Sequence, residues 1–355
     1  MAHKVALNFE DGVTRFVETR PNETVADASY RVGINIPLDC RDGACGTCKV
    51  FVESGTYDGG DYIEDALTDD EAAEGYGLAC QMKPDTDLVL RIAASSDVCK
   101  TKGASYKAQL RAVDRLSETT LGFSLAVDPA SPLAFLPGQY VNILVPGTDQ
   151  KRSYSFSSVP GSNDASFLIR DIPRGVMSTF LREQAQPGTP MEFTGPSGSF
   201  YLRDIKRPLL MLAGGTGLAP FLSMLGRIAQ MGQSGSSHPI HMIYGVTNDA
   251  DLVQVEKLEE HARQVPGFTF ACCVASEDSA YPNKGYVTRY IEPAHVNGGD
   301  VDIYLCGPPP MVDAVRHHLT EQAISPANFY FEKFSPSGAV TAVGESHRAA
   351  QGFIR

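Results

Sequence analysis

Four of the eight cysteines are spaced as ligands for an inorganic cluster. Cys40, Cys45 and Cys48 fall within nine residues of DCRDGACGTCKV, and Cys80 follows in GLACQM beyond a 31-residue spacer. This C-x4-C-x2-C run with a distant fourth cysteine is a spacing that holds a 2Fe–2S cluster. Two irons bridged by two sulfides need four thiolates converging from one side. Gly43 and Gly46 let the loop wrap the cluster and turn backbone N–H groups toward its sulfurs. Zinc is normally held by two C-x2-C knuckles, and only Cys45 and Cys48 form one here. Unrelated core cysteines would not gather three members in one glycine-rich loop.

The stretch around these cysteines, residues 1–97, resembles a plant-type ferredoxin. The resemblance implies a β-grasp fold: a hairpin in KVALNFEDGVTRFVETR, a helix in VADASYRVG, then the cluster loop. From Glu53 to Glu74 there are nine acidic residues and no Lys or Arg. Such a run is either a solvated face or a docking surface for a basic patch on an electron acceptor.

A second group of chemistry-bearing residues lies in KRSYSFSSVP, after PGQYVNILV. It resembles the flavin motif Arg-x-Tyr-Ser of the ferredoxin–NADP reductase superfamily. The resemblance gives Arg152 the FAD pyrophosphate, Tyr154 the face of the isoalloxazine ring, and Ser155 a hydrogen bond near flavin N5. Further on, RDIPRGVMSTFL starts a helix after Gly175. A helix start has unpaired N–H groups and partial positive charge, which suit a pyrophosphate. In the family a Gly-x-x-Ser piece does this work, so Gly175, Val176, Met177 and Ser178 are expected to line the FAD phosphates. The implied fold is an antiparallel Greek-key β-barrel.

The third group reads strand, glycine-rich turn, helix: PLLMLAGGTGLAPFLSMLGRIA. Gly214, Gly215, Thr216 and Gly217 let a backbone approach phosphates, although Pro220 stands where a strict G-x-G-x-x-G would have its last glycine. The turn matches the nicotinamide-side turn of the same superfamily, and IYLCGPPPMVDAVRHHL matches its partner. By that resemblance Cys306, Gly307 and Pro308 bind NAD, with Cys306 near nicotinamide C4. Cys306 also reads as a small buried hydrophobe. Cys272 and Cys273 read as core, and Cys99 has no assigned role. In YGVTNDADLVQVEKLEEH no arginine precedes Arg263. Asp251 there favours a ribose hydroxyl over a 2′-phosphate, hence NADH; the competing reading is a helix-capping pattern with Gln254. FYFEKFSPSG resembles the C-terminal element of the bacterial branch. Glu332 and Phe334 would then cover the flavin and nicotinamide side, although alternating aromatics also suit a plain last strand.

These sites must be positioned by three different textures. Residues 105–205 show short strands broken by Gly and Pro, and 206–335 alternate apolar runs with helical patterns, which predicts α/β with a parallel sheet. VCKTKGA supplies a linker at 98–104, and residues 336–355 are expected to be a poorly ordered tail. The chain has 355 residues, 43% of them hydrophobic and 20% charged, as in ordinary multidomain folded proteins. A net charge of −12 argues against nucleic acid and anionic membranes as ligands. No apolar run reaches the ~18 residues of a spanning helix. The N-terminus lacks a signal-peptide pattern, so a bacterial cytoplasmic location is expected.

Cluster, flavin and nicotinamide sites in one chain make a wire from a two-electron donor to a one-electron acceptor. The segments RSYSFSS, YGVTNDADL, KGYVT, VDIYLCGPPPMV and PANFYFEKF resemble the benzoate, toluate and anthranilate dioxygenase reductase group. That resemblance implies electron flow from NADH to FAD to the 2Fe–2S cluster to a Rieske-type terminal oxygenase acting on an aromatic carboxylate. One alternative is the reductase component of a diiron aromatic or alkane monooxygenase, which shares the three modules. Another is a non-enzymatic ferredoxin-like carrier, against which Arg152, Tyr154 and the Gly214 turn speak.

Overall fold

The first apolar alternation, KVALNF, forms β1 (Lys4–Phe9) with Val5, Leu7 and Phe9 buried. It pairs antiparallel with β2 (Thr14–Glu18), so the expected hairpin forms. Helix α1 (Val25–Arg31) follows, its N-cap Thr24 accepting the Asp27 amide at 3.2 Å. It stops two residues short of the expected end, where Gly33 adopts φ +82°. These coordinates are a computed structural model, which describes residues 2–100, 104–128, 133–162, 164–232 and 237–334. Among the described residues the chain divides into two units: the N-terminal stretch with Ser197–Ser199, and Ala104–Pro196 with residues 200–334.

In the first unit, β3 (Lys49–Ser54), β4 (Tyr57–Asp58), α2 (Asp69–Ala73), β5 (Tyr76–Leu78), β6 (Lys83–Pro84) and β7 (Leu88–Ile92) complete a β-grasp. Its sheet runs β2-β1-β7-β3-β5, with β1 and β7 parallel. Val98–Lys100, inside the stretch read as linker, is a helical turn with Cys99 buried in this unit's core. Burial pushes the Cys99 thiol up to about 12, which makes it inert.

The second unit opens with β8 (Ala104–Arg115), β9 (Thr120–Val127), β10 (Tyr140–Leu144), β11 (Lys151–Ser155), β12 (Asp164–Arg170), α3 (Val176–Glu183) and β13 (Pro190–Ser197). The strands form one sheet in the order β11-β10-β13-β8-β9-β12. A bridge from Phe156 to Phe167 brings its two edges together, giving a near-closed antiparallel barrel. Stacked Phe135 and Phe156, 3.8 Å between centroids, fill its interior with Phe123 and Phe167.

The unit continues with β14 (Leu209–Gly214), α4 (Ala219–Met231), β15 (Ile240–Val246), α5 (Val255–Gln264), β16 (Phe268–Val274), α6 (Pro293–Val296), β17 (Asp302–Gly307), α7 (Pro309–Glu321) and β18 (Asn328–Lys333). The parallel sheet runs β16-β15-β14-β17-β18. The continuous apolar runs LLML and IYLC bury both faces, as a helix-covered parallel sheet requires. Cys272 and Cys273 lie buried in β16, as read from the sequence. The residues read as a tail, 336–355, fall outside the described residues.

His241 on β15 and His295 on α6 stack with centroids 3.8 Å apart, and His241 Nδ1 bonds Thr269 Oγ1 at 2.7 Å. Burial, then the neighbouring His295, lowers His241 to about 4 from its ordinary 6.5. The unfolded chain therefore takes up a proton that the folded one resists. Stability supported by the neutral ring is present above pH 6.5 and is lost as pH falls toward 4. The melting temperature should drop across that window and drop less in His241→Asn; superimposable curves would contradict this.

Candidate cofactor sites

The cluster loop joins α1 to β3 and carries Cys40, Cys45 and Cys48; Cys80 follows β5. The loop bends at Gly43 (φ +79°) and Gly46 (φ +71°). A Cβ at these positions would lie 2.5 Å from the Asp61 carbonyl oxygen and 2.9 Å from that of Ala66. The loop is thus pressed onto 61–66 in a way only glycine allows. The structure brings the four thiols together as a chain: Cys40 contacts Cys45 and Cys80, and Cys80 contacts Cys48. Hydrogen bonds from Cys45 and Cys80 hold the Cys40 thiol far below the ordinary thiol range, and one from Cys80 lowers Cys48. Cys45 and Cys80, bonded to Cys40, are pushed up in return. Among the described residues no group of three or more His, Cys, Asp or Glu is arranged for a single metal ion. Four thiols linked pairwise suit a two-iron unit, and this all-sulfur donor set fits a 2Fe–2S cluster. Two donors escaped the sequence reading. Gln81 Nε2 donates to Cys80 Sγ at 3.9 Å, and the Thr47 side chain bonds Cys45. Their only sequence signal is adjacency to a ligand.

On the barrel, β11 sets Tyr154 edge-on to Phe123 at 6.0 Å and 87°. Arg152 turns its guanidinium onto the Lys151 carbonyl (2.8 Å) and Gln150 Oε1 (2.7 Å). Helix α3 starts at Gly175 without a side-chain cap, which leaves the Val176, Met177 and Ser178 end of the helix suited to a phosphate. The Ser178 hydroxyl, however, does not reach outward. It donates to the Ile172 carbonyl at 3.0 Å and accepts from the Ile172 amide at 3.3 Å. Gly175 is required by that staple, since a Cβ there would meet Ser178 Oγ at 2.6 Å. The helix start therefore fits an FAD pyrophosphate through its backbone, with the Ser178 side chain shaping the loop.

Ser155 is buried and donates to Glu332 Oε2 at 3.1 Å. Glu332 on β18 stands opposite Cys306 on β17. Burial, then the Glu332 carboxylate, pushes the Cys306 thiol well above its ordinary range, so it stays neutral. The structure thus brings Ser155, Glu332 and Cys306 together. Phe334 follows, its amide donating to the Gly307 carbonyl at 2.8 Å.

Gly214 ends β14, and Gly215–Leu218 makes a short 3-10 turn before α4. A Cβ on Gly217 would fall 2.3 Å from the Cys306 carbonyl oxygen, and one on Gly214 would fall 2.4 Å from Met311 Sδ. The carboxyl ends of β14 and β17 therefore touch, at the point where the strand order reverses and such sheets bind nucleotides. The Gly215–Gly217 backbone has no capping side chain and fits a pyrophosphate. Helix α7 has Pro308 as N-cap and begins with Pro309 and Pro310, and the Met311 amide returns to the Pro308 carbonyl at 2.9 Å.

Comparison with known proteins matches three family models. Residues 8–85 match a 2Fe-2S iron-sulfur cluster binding domain, 107–201 an oxidoreductase FAD-binding domain, and 211–317 an oxidoreductase NAD-binding domain. The toluate 1,2-dioxygenase electron transfer component of Pseudomonas putida is 60% identical over 95% of this chain and 100% of its own. The chain belongs to the family of dioxygenase electron transfer components. The 2-halobenzoate 1,2-dioxygenase electron transfer component of Burkholderia cepacia is 55% identical over 95% of this chain and 99% of its own. Among solved structures, a cytochrome P-450 reductase of Amycolatopsis has a TM-score of 0.68 at 32% identity, covering 94% of this chain and 99% of that one. The chain is an oxidoreductase with domains for a 2Fe–2S cluster, FAD and NAD.

Within this family member Asp251 is not the open carboxylate that the sequence suggested. Its Oδ2 accepts the Asn248 amide at 3.0 Å and side-chain Nδ2 at 3.1 Å, and its Oδ1 accepts the Thr119 hydroxyl. The competing Asp251–Gln254 cap does not form either: an Asn248–Asp251 box stands there, and Gln254 adopts left-handed φ 60°. No helix of the described residues is long and apolar enough to cross a membrane.

Proposed function

We propose that this chain takes electrons from NADH and delivers them singly to a Rieske-type oxygenase acting on an aromatic carboxylate. The observation that carries the reading is the full-length match to a toluate 1,2-dioxygenase electron transfer component, with cluster, FAD and NAD domains in one chain. When bound, FAD accepts a hydride and gives up electrons one at a time, and a 2Fe–2S cluster carries each electron outward. Cys40, Cys45, Cys48 and Cys80 would hold the cluster, Arg152, Tyr154 and the α3 start the FAD, and the Gly214–Gly217 turn with Gly307 and Pro308 the NADH. Ser155 Oγ, tied to Glu332, can hold or pass a proton between the flavin edge and the carboxylate. Neutral Cys306 gives the nicotinamide a small surface without charge. The turn after β15 carries Asp249 and Asp251 and no cation, so it offers nothing to pair with a 2′-phosphate, which favours NADH over NADPH.

Anaerobic titration with NADH, followed by absorbance and low-temperature EPR, tests the reading. Flavin bands should bleach and a rhombic 2Fe–2S signal should grow, with NADPH a poor substitute. Flavin reduction without that signal would take the cluster out of the path.

The acidic stretch supports docking of a basic partner. Glu71 is buried and pairs with Lys49 at 2.6 Å, whereas the other eight acids are exposed. Electron transfer to the oxygenase should slow as salt rises from ~0.01 to ~1 M, where the Debye length shrinks from about 30 to 3 Å. A flat salt profile would reduce the stretch to a solvated face.

A further inference from the structure

Thr119 lies between β8 and β9, on the flavin barrel, yet its hydroxyl donates to Oδ1 of Asp251 in the turn after β15. The Thr119 amide donates to Ser117 Oγ at 3.2 Å, and its carbonyl accepts the Asp171 amide at 2.7 Å. The shielded Asp171 carboxylate pairs with Arg115 at 3.0 Å through one oxygen and with Arg182 of α3 through the other. On the far side, the buried Tyr244 hydroxyl donates to the Asp251 carbonyl at 3.3 Å. A continuous chain of polar contacts therefore runs from the nucleotide-side turn to the helix whose start fits the FAD pyrophosphate.

A carboxylate has about four acceptor positions. Thr119 and the two Asn248 groups use three of Asp251's, which leaves one on Oδ1. A ribose diol presenting two donors could not be met in full while Thr119 is in place. Asp251 is built first as a strut between the barrel and the nucleotide domain.

We propose that the Thr119–Asp251 hydrogen bond is a positioning latch that fixes the nucleotide turn against the flavin barrel and so sets the approach of nicotinamide to flavin. The proposal rests on the NADH-to-FAD reading and not on contact between Asp251 and ribose. Neither residue touches the reacting atoms; the latch acts through the turns it joins.

The test is stopped-flow reduction of the holoprotein flavin by NADH in Thr119→Val, Thr119→Ala, Asp251→Asn, Thr119→Ser and the Thr119→Val/Asp251→Asn double variant. Amide hydrogen exchange of 115–120 and 248–252 is followed on the same proteins, giving a readout independent of turnover. In Thr119→Val the limiting reduction rate should fall about tenfold or more, as misplacement of reactants does, with the apparent Kd for NADH little changed. Thr119→Ala should behave alike should the valine variant not fold. The double variant should be no slower than the slower single, Thr119→Ser should restore the rate, and exchange should quicken in both segments. An unchanged limiting rate in Thr119→Val beside a raised Kd in Asp251→Asn would make Asp251 a ribose reader and overturn the latch. Losses that multiply in the double variant, or exchange that quickens in one segment only, would overturn it as well. Failure of the unmodified protein to be reduced by NADH would bring down the underlying reading and the latch with it.

Discussion

Serine at position 80 is expected to remove the 2Fe–2S EPR signal and reduce electron delivery to the oxygenase to background, while NADH still bleaches the flavin. Cys80 contacts both Cys40 and Cys48, so its loss breaks two of the links that join the four thiols. Serine keeps the shape of the buried side chain but offers a hydroxyl that is far less acidic and less suited to iron than a thiol. The flavin and nicotinamide sites belong to the other unit and rest on cores of their own, so their chemistry should persist. The measurements are iron content, EPR after anaerobic reduction, and NADH-driven reduction of ferricyanide beside that of the oxygenase. A Cys80→Ser protein with an undiminished EPR signal and normal delivery would strike Cys80 from the ligand set.

Alanine at Gly217 should cost NADH-dependent flavin reduction about 100-fold in kcat/KM, the scale expected when reactants are displaced by about an ångström. The new Cβ would sit 2.3 Å from the Cys306 carbonyl oxygen and 2.7 Å from its carbon. Both are backbone atoms within a parallel sheet, so neither can yield as a flexible side-chain tip would. The ends of β14 and β17 must part, which moves the glycine turn away from Cys306 and Glu332. FAD content and the EPR signal after dithionite reduction should be retained, because the nearest neighbours of the added Cβ are backbone atoms of Cys306 and Gly307 and not of the α3 start or the cluster loop. Unaltered NADH kinetics in Gly217→Ala would show that the contact between the two strands does not set the nicotinamide site.

What the sequence made legible follows from distance along the chain. The cysteine spacing, the hairpin, the apolar strands of the parallel sheet and the glycine turn are local patterns, and all are found in the fold. Where side chains end up bonded was hidden. Ser155 meets Glu332 from 177 residues away, and Thr119 meets Asp251 from 132. A resemblance could place Ser155 and Glu332 on one side, but nothing near Asp251 announces Thr119. Ser178 illustrates the opposite failure. Its motif is local and correctly begins a helix, but the hydroxyl spends itself on Ile172 because the loop before α3 turns back over it. Glu71 looked like one more surface acid, although Thr68 three residues earlier marks the capping box that buries it.

The prolines that open α7 have a consequence for the direction in which a dinucleotide can lie. Two helical starts flank the reversal point of the sheet, and each would ordinarily attract anions. Pro309 and Pro310 carry no N–H, and the Met311 amide is already committed to Pro308, so the α7 start has little to offer a phosphate. The Gly215–Gly217 backbone keeps its donors. The crevice is therefore a one-ended cradle. On the proposed reading it would accept charge beside β14 and leave the neighbourhood of Cys306 for an uncharged ring, so the ligand's head and tail would be told apart by which backbone amides have been deleted.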